Sequence, residues 1–211
     1  MATQKLYIGE FYNTGPKHPC LFGKKLLVVG HQKHATTEER RKYASIDDFT
    51  YEYEDVEAIM ALLNGQWRQW DPRARKSYLQ FGRMMIGDKS LTIDVMVDFW
   101  KSIAFCNYLQ VPDFNLPNRQ GNDAYFLYEH SKHIFKNKLL EAQPDKVLVW
   151  GIDNPIFDCI KSVLGVETDG KEFQYSLYGQ KIDFLNIEHP CRLPKGGYDG
   201  IMQTIKEFIK K

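Results

Sequence analysis

Short apolar runs punctuate the chain, and each ends in a polar or turn-forming residue. The residues Leu26-Leu27-Val28-Val29 stop at Gly30, and Ile103-Ala104-Phe105-Cys106 runs into Asn107. Val147-Leu148-Val149-Trp150 stops at Gly151, and the stretch from Ile182 to Ile187 leads into His189-Pro190. Continuous runs of this length, rich in Val, Ile and Phe, predict strands covered on both faces. Helical spacing fills the gaps between them. Apolar residues recur at that spacing from Asp55 to Leu63, Arg73 to Met85, Thr92 to Lys101, Ala124 to Ala142, Pro155 to Leu164 and Gly200 to Lys211. Asn154 is the expected N-cap of the fifth of these, with Pro155 at its first helical position. Phe173 to Tyr178, then Gly179-Gln180, then Lys181 to Leu185 predicts a hairpin entering the last core strand.

Strands alternating with helices predict an α/β fold with helices on both faces of a central, mostly parallel, four-stranded sheet. No linker rich in Gly, Ser or Pro divides the sequence, so residues 1–211 read as one domain with long loops. The 211 residues are 43% hydrophobic and 14% aromatic, enough for a sizeable core, which excludes global disorder. Lys and Arg total 28 against 27 for Asp and Glu, a net charge of +1 that excludes nucleic-acid binding by bulk charge alone. A local basic patch stays open, and the Trp/Arg-interleaved segment from Gln66 to Lys76 is one candidate. The other reading of that segment is an ordinary helix surface with inward tryptophans.

No leader pattern opens the chain, and no apolar run approaches the ~18 residues of a membrane span, so a cytoplasmic protein is expected. The four cysteines, Cys20, Cys106, Cys159 and Cys191, are too irregularly spaced for a zinc site and read as reduced thiols. His31 and His34 lack an evident third ligand, and His130 and His133 read as a helix surface. Neither a metal nor a cofactor is therefore expected.

In open α/β sheets the ligand crevice lies beyond the carboxyl ends of the strands. The segments just past the four core strands are rich in polar groups here: Gly30-His31-Gln32-Lys33-His34, Asn107 with the loop to Arg119, Gly151-Ile152-Asp153-Asn154-Pro155, and His189-Pro190-Cys191-Arg192. Together they predict a pocket.

The ordered set resembles the uracil-DNA glycosylase-like superfamily, over roughly residues 20 to 211. Gly30 to His34 resembles its glycine-led first loop. Asn107 with Pro112 and Pro117-Asn118-Arg119 resembles its strand-end Asn and following loop, and His189-Pro190-Cys191-Arg192 resembles its His-Pro loop. The resemblance implies a three-layer uracil-DNA glycosylase-like fold, a nucleobase-sized pocket and hydrolysis of the N-glycosidic bond of uracil or a damaged base in DNA. The partner would be DNA or another nucleobase-containing ligand. Catalytic candidates are His189, His31, Gln32 and His34, and substrate-binding candidates are Gly30, Asn107, Arg119, Gly151, Asn154 and Arg192. Asn107 both donates and accepts, which suits the amide edge of a base. A neutral His189 can donate to a carbonyl oxygen gaining charge.

The first loop departs from the family pattern, because no Asp or Glu lies between Gly30 and Ala35. Gln32 can position a water but is a poor proton acceptor. An inactive module that recognises a nucleobase, nucleotide or nucleic-acid end is therefore the alternative expectation. A carboxylate from elsewhere, such as Asp47, Asp48 or Asp153, would restore a general base. Phe49, Tyr51 and Tyr53 are candidates to stack on a base.

Overall fold

The computed structural model describes residues 5–15, 18–31, 59, 61, 63–65, 72–88, 92–109, 122–151, 155–190 and 198–211, with the backbone alone at helical residues 72–75, 93, 122–130 and 198. The strands are β1 (Tyr7–Ile8), β2 (Leu26–Gly30), β3 (Ala104–Asn107), β4 (Lys146–Trp150), β5 (Glu172–Leu177) and β6 (Gln180–Ile187). The longer helices are α1 (Pro72–Ile86), α2 (Ile93–Lys101), α3 (Asn122–Ala142), α4 (Ile156–Leu164) and α5 (Tyr198–Lys210). Every apolar run read as a core strand is a strand, within one or two residues at its ends.

The sheet differs from expectation in its extent. It has six strands in the order β1-β3-β2-β4-β6-β5 and is mixed, not four-stranded. The inner pairs β2–β3, β2–β4 and β4–β6 are parallel, while β1 and β5 add antiparallel edges. Two residues of β1 are too few to display an alternation, so nothing in the pattern marks that strand. Its docking is close: a Cβ at Gly9 would collide with the Lys101 carbonyl.

Alternation along the inner strands divides the core. Leu27, Val29, Ala104, Cys106, Val147, Val149, Ile182 and Phe184 face α3 and α4, meeting Phe135, Leu139, Ile156, Phe157 and Ile160. Leu26, Val28, Phe105, Leu148, Trp150, Leu185 and Ile187 face the other way, onto Phe81, Met84, Met96, Phe99, Ile205 and Phe208 of α1, α2 and α5. Side chains two apart share a face, so an all-apolar strand needs helices on both sides. Pro155 occupies the N-cap of α4, not its first helical position, and offers no side-chain cap. The hairpin turns at Tyr178 and Gly179, both at positive φ (48° and 86°), one residue earlier than the sequence suggests. This is the two-residue geometry that matches the twist of the flanking strands.

At the amino end of β4, Lys146 is almost fully buried and its Nζ donates to Asp183 Oδ2 at 2.6 Å. Gln174 Nε2 donates to the other carboxylate oxygen at 2.7 Å, and Lys146 Nζ lies over the Phe208 ring. Burial opposes ionisation of Asp183, but the bonds from Lys146 and Gln174 outweigh it and hold its carboxyl below the ordinary value. A carboxyl depressed on folding contributes stability above its unfolded pKa of about 3.9, and that contribution is lost as pH falls through the lower folded value. Asp183→Asn should therefore cost about 2–3 kcal/mol at neutral pH, with wild type and variant converging in acid. Urea unfolding from pH 7 to pH 2 measures this, and a gap that persists into strong acid would refute the assignment.

Candidate functional site

The parallel strands β2, β3, β4 and β6 present their carboxyl ends at one edge of the sheet. Gly30 pairs with Asn107 across β2–β3, and Trp150 pairs with Ile187 across β4–β6. Backbone pairing continues past the strands. Tyr108 N–H donates to Gly30 O at 2.9 Å and Leu109 N–H to His31 O at 3.0 Å, which fixes His31 beside the start of the loop after Asn107. On the other side Gly151 N–H donates to Ile187 O at 2.8 Å. Gly151 sits at φ 109°, a conformation that glycine adopts without a steric penalty.

Gly30 has a packing role as well. A Cβ built there would run into Asn107 Oδ1 and would approach Phe105 Cζ at 3.2 Å. The Asn107 amide therefore lies across the Gly30 backbone, and Asn107 is only 5% exposed. A small residue on one strand thus makes room for the Asn107 amide of the next.

By alternation Asn107 and Trp150 point to the same face of the sheet, the one covered by α1, α2 and α5. Trp150 is the hub there. Its ring lies 5.5 Å from Phe105, 4.9 Å from Phe81 and 6.1 Å from Tyr78. The half-buried His189 ring meets Trp150 at 5.8 Å and 81°, an edge-to-face contact. Asn107 and His189 thus flank a buried aromatic cluster of Phe105 and Trp150. Three strand spacings separate β3 from β6, roughly 14 Å between backbones.

Of the residues singled out in the sequence, Gly30, His31 and Asn107 are brought together on β2–β3, and Gly151 and His189 on β4–β6. Gln32, His34, Arg119, Asn154 and Arg192 lie outside the described residues, as do Asp47, Asp48, Phe49, Tyr51, Tyr53, Asp153 and Cys191. Trp150, Phe105 and Tyr78 are the core residues packed beneath these positions that the sequence pattern did not single out. Trp150 reads as core by default, yet it is both core and the wall that seats His189.

A concavity of about 350 Å³ is lined by Phe11, His18, Pro19, Val95 and Asp98. Phe11 N–H donates to Lys101 O, just before β3 begins, so this cavity sits toward the amino ends of the strands. His18 Nδ1 lies 3.0 Å from Cys20 Sγ. Burial pushes the Cys20 thiol up to about 12, despite a backbone hydrogen bond and Lys206 acting the other way. Burial likewise lowers His18, against the pull of Asp98. Both groups are held neutral at pH 7, which suits a structural thiol–imidazole contact and not an activated nucleophile. The carboxyl edge of the sheet is the better candidate.

Among the described residues no group of three or more His, Cys, Asp or Glu side chains could hold a metal ion. Among the same residues no helix is long and apolar enough to cross a membrane. No family model matches the chain, and no curated protein matches it in sequence.

Proposed function

We propose that this chain is a uracil-DNA glycosylase-like protein that takes a nucleobase into the crevice at the carboxyl edge of its sheet. The reading rests on the placement of Asn107 and His189 at the carboxyl ends of β3 and β6, either side of the buried Trp150–Phe105 cluster, with Gly30 lacking the Cβ that would displace the amide. The parallel core order β3-β2-β4-β6, with helices on both faces, supports the same reading. Asn107 would pair with the donor and acceptor edge of the base. His189 would donate to a base carbonyl as negative charge develops when the N-glycosidic bond of uracil or a damaged base breaks. A base reaches such a pocket only after leaving the stack. With a net charge of +1, DNA contact would rest on local groups and the fitted pocket.

The test is incubation with single- and double-stranded oligonucleotides containing uracil, followed by detection of abasic sites. Abasic product is expected, and Asn107→Ala or His189→Ala should each lower the rate about 100-fold. The absence of a carboxylate between Gly30 and Ala35 favours a second reading, a recognition module without turnover. Tight binding of the oligonucleotide without product, weakened by the same two substitutions, would select that reading. Neither product nor binding would overturn both.

A further inference from the structure

We propose that two copies of this chain associate through the outer edge of β5, in an antiparallel pairing that continues one sheet into the other. The hairpin register defines what that edge offers. Asn186 N–H donates to Lys171 O at 2.8 Å, so Lys171, Phe173, Tyr175 and Leu177 bond inward to β6. Bonding direction alternates along an antiparallel strand, so the N–H and C=O groups of Glu172, Gln174 and Ser176 point outward. Among the described residues no strand pairs with them.

Edge strands are ordinarily blunted by brevity, proline, a bulge or charged side chains, lysine above all. The opposite edge follows this rule, because β1 is only two residues long. The six residues of β5 contain no Pro and a single charge, Glu172 at the first position, which pairs with Lys211 of the same chain at 3.0 Å, and their register with β6 runs unbroken from Glu172↔Leu185 to Leu177↔Gln180.

The same six residues are self-complementary, which selects a second copy as the occupant. With a twofold axis at Gln174, Glu172 faces Ser176 of the second copy and Gln174 faces its own counterpart. All the outward-pointing residues then form hydrogen-bonded pairs, giving about six interchain bonds. Phe173 faces Tyr175 of the second copy in the non-hydrogen-bonded pairs, where side chains approach most closely. No like charges stand opposite one another. Sliding the register by two residues loses one of the hydrogen-bonded pairs.

Sedimentation equilibrium on the full chain from about 10 μM to about 1 mM tests this, a range suited to a small interface. A reversible dimer is expected. Ser176→Glu sets two Glu–Glu pairs across the interface and should weaken the dimer about two- to thirtyfold, whereas Ser176→Lys should strengthen it by a similar factor. Thermal melts at low concentration check that neither variant alters the monomer. A chain that stays monomeric throughout, or a dimer indifferent to both substitutions, would overturn the proposal.

Discussion

Replacing Trp150 with Ala should destabilise the protein by about 3–5 kcal/mol, close to the whole stability of many domains. Trp150 is 3% exposed and touches Tyr78, Phe81, Phe105 and His189. Truncation removes the largest side chain at the carboxyl end of β4 and leaves a cavity between the sheet and α1. Both the lost transfer energy and the unfilled space count, because neighbours on two rigid elements relax only in part. Trp150→Phe keeps an aromatic ring and should cost less than half as much. Urea midpoints for the two variants separate cavity formation from loss of aromatic character. Equal midpoints for Trp150→Ala and wild type would show that Trp150 is not a core anchor. Trp150→Phe has a further use at the site. His189 would lose the broad indole against which it rests, so ligand affinity should fall even where the fold survives.

The strands were legible because each inner one is a continuous apolar run buried on both faces, and few other structures produce such a pattern in soluble proteins. The amphipathic helix ends were legible for the related reason that Ile201, Ile205, Phe208 and Ile209 repeat at helical spacing. What stayed hidden was which strand lies beside which. Leu26–Gly30 and Lys146–Trp150 have interchangeable patterns, and only the folded sheet reveals that β2 sits centrally between β3 and β4. The strand β1 was invisible for want of length. The hairpin of β5 and β6 was visible, but not its place at the edge of the same sheet.

The candidate site divides in the same way. Gly30, Asn107, Gly151 and His189 could be found as residues that end apolar runs, since strand ends are where such sheets expose polar groups. Their mutual contacts could not. That the Asn107 amide needs the missing Cβ of Gly30 is a statement about neighbouring strands, 77 positions apart in sequence and adjacent only after folding. Trp150 is the packing residue that a tryptophan within an apolar run predicts, and its contact with His189 could not be read from the pattern. Tyr78 escaped because helical periodicity assigns it to a face without saying which end of the sheet that face covers.

Gly30 and Asn107 supply the sharpest test, a double-mutant cycle. Gly30→Ala alone should destabilise the protein by about 1–3 kcal/mol, since the new methyl meets Asn107 Oδ1 and crowds Phe105. The neighbouring backbone is held by the Tyr108-to-Gly30 hydrogen bond, so the amide must be the group that moves. Asn107→Ala removes that amide from a buried position and should itself cost about 1–3 kcal/mol. Gly30→Ala combined with Asn107→Ala should then be more stable than the sum of the two single changes predicts, because the clash has no partner left. The recovery expected is about 1 kcal/mol or more, with Phe105 accounting for the part that remains. Ligand binding should behave in the opposite sense. Gly30→Ala displaces the amide and should lower nucleobase or oligonucleotide affinity about as far as Asn107→Ala does, and the double variant should be no weaker than either. Additive losses in stability would mean that the Gly30 methyl strains something other than Asn107. Unchanged affinity in Gly30→Ala would place the ligand away from this edge. Recovery in stability together with saturation in binding would tie the missing Cβ of β2 to the recognising amide of β3.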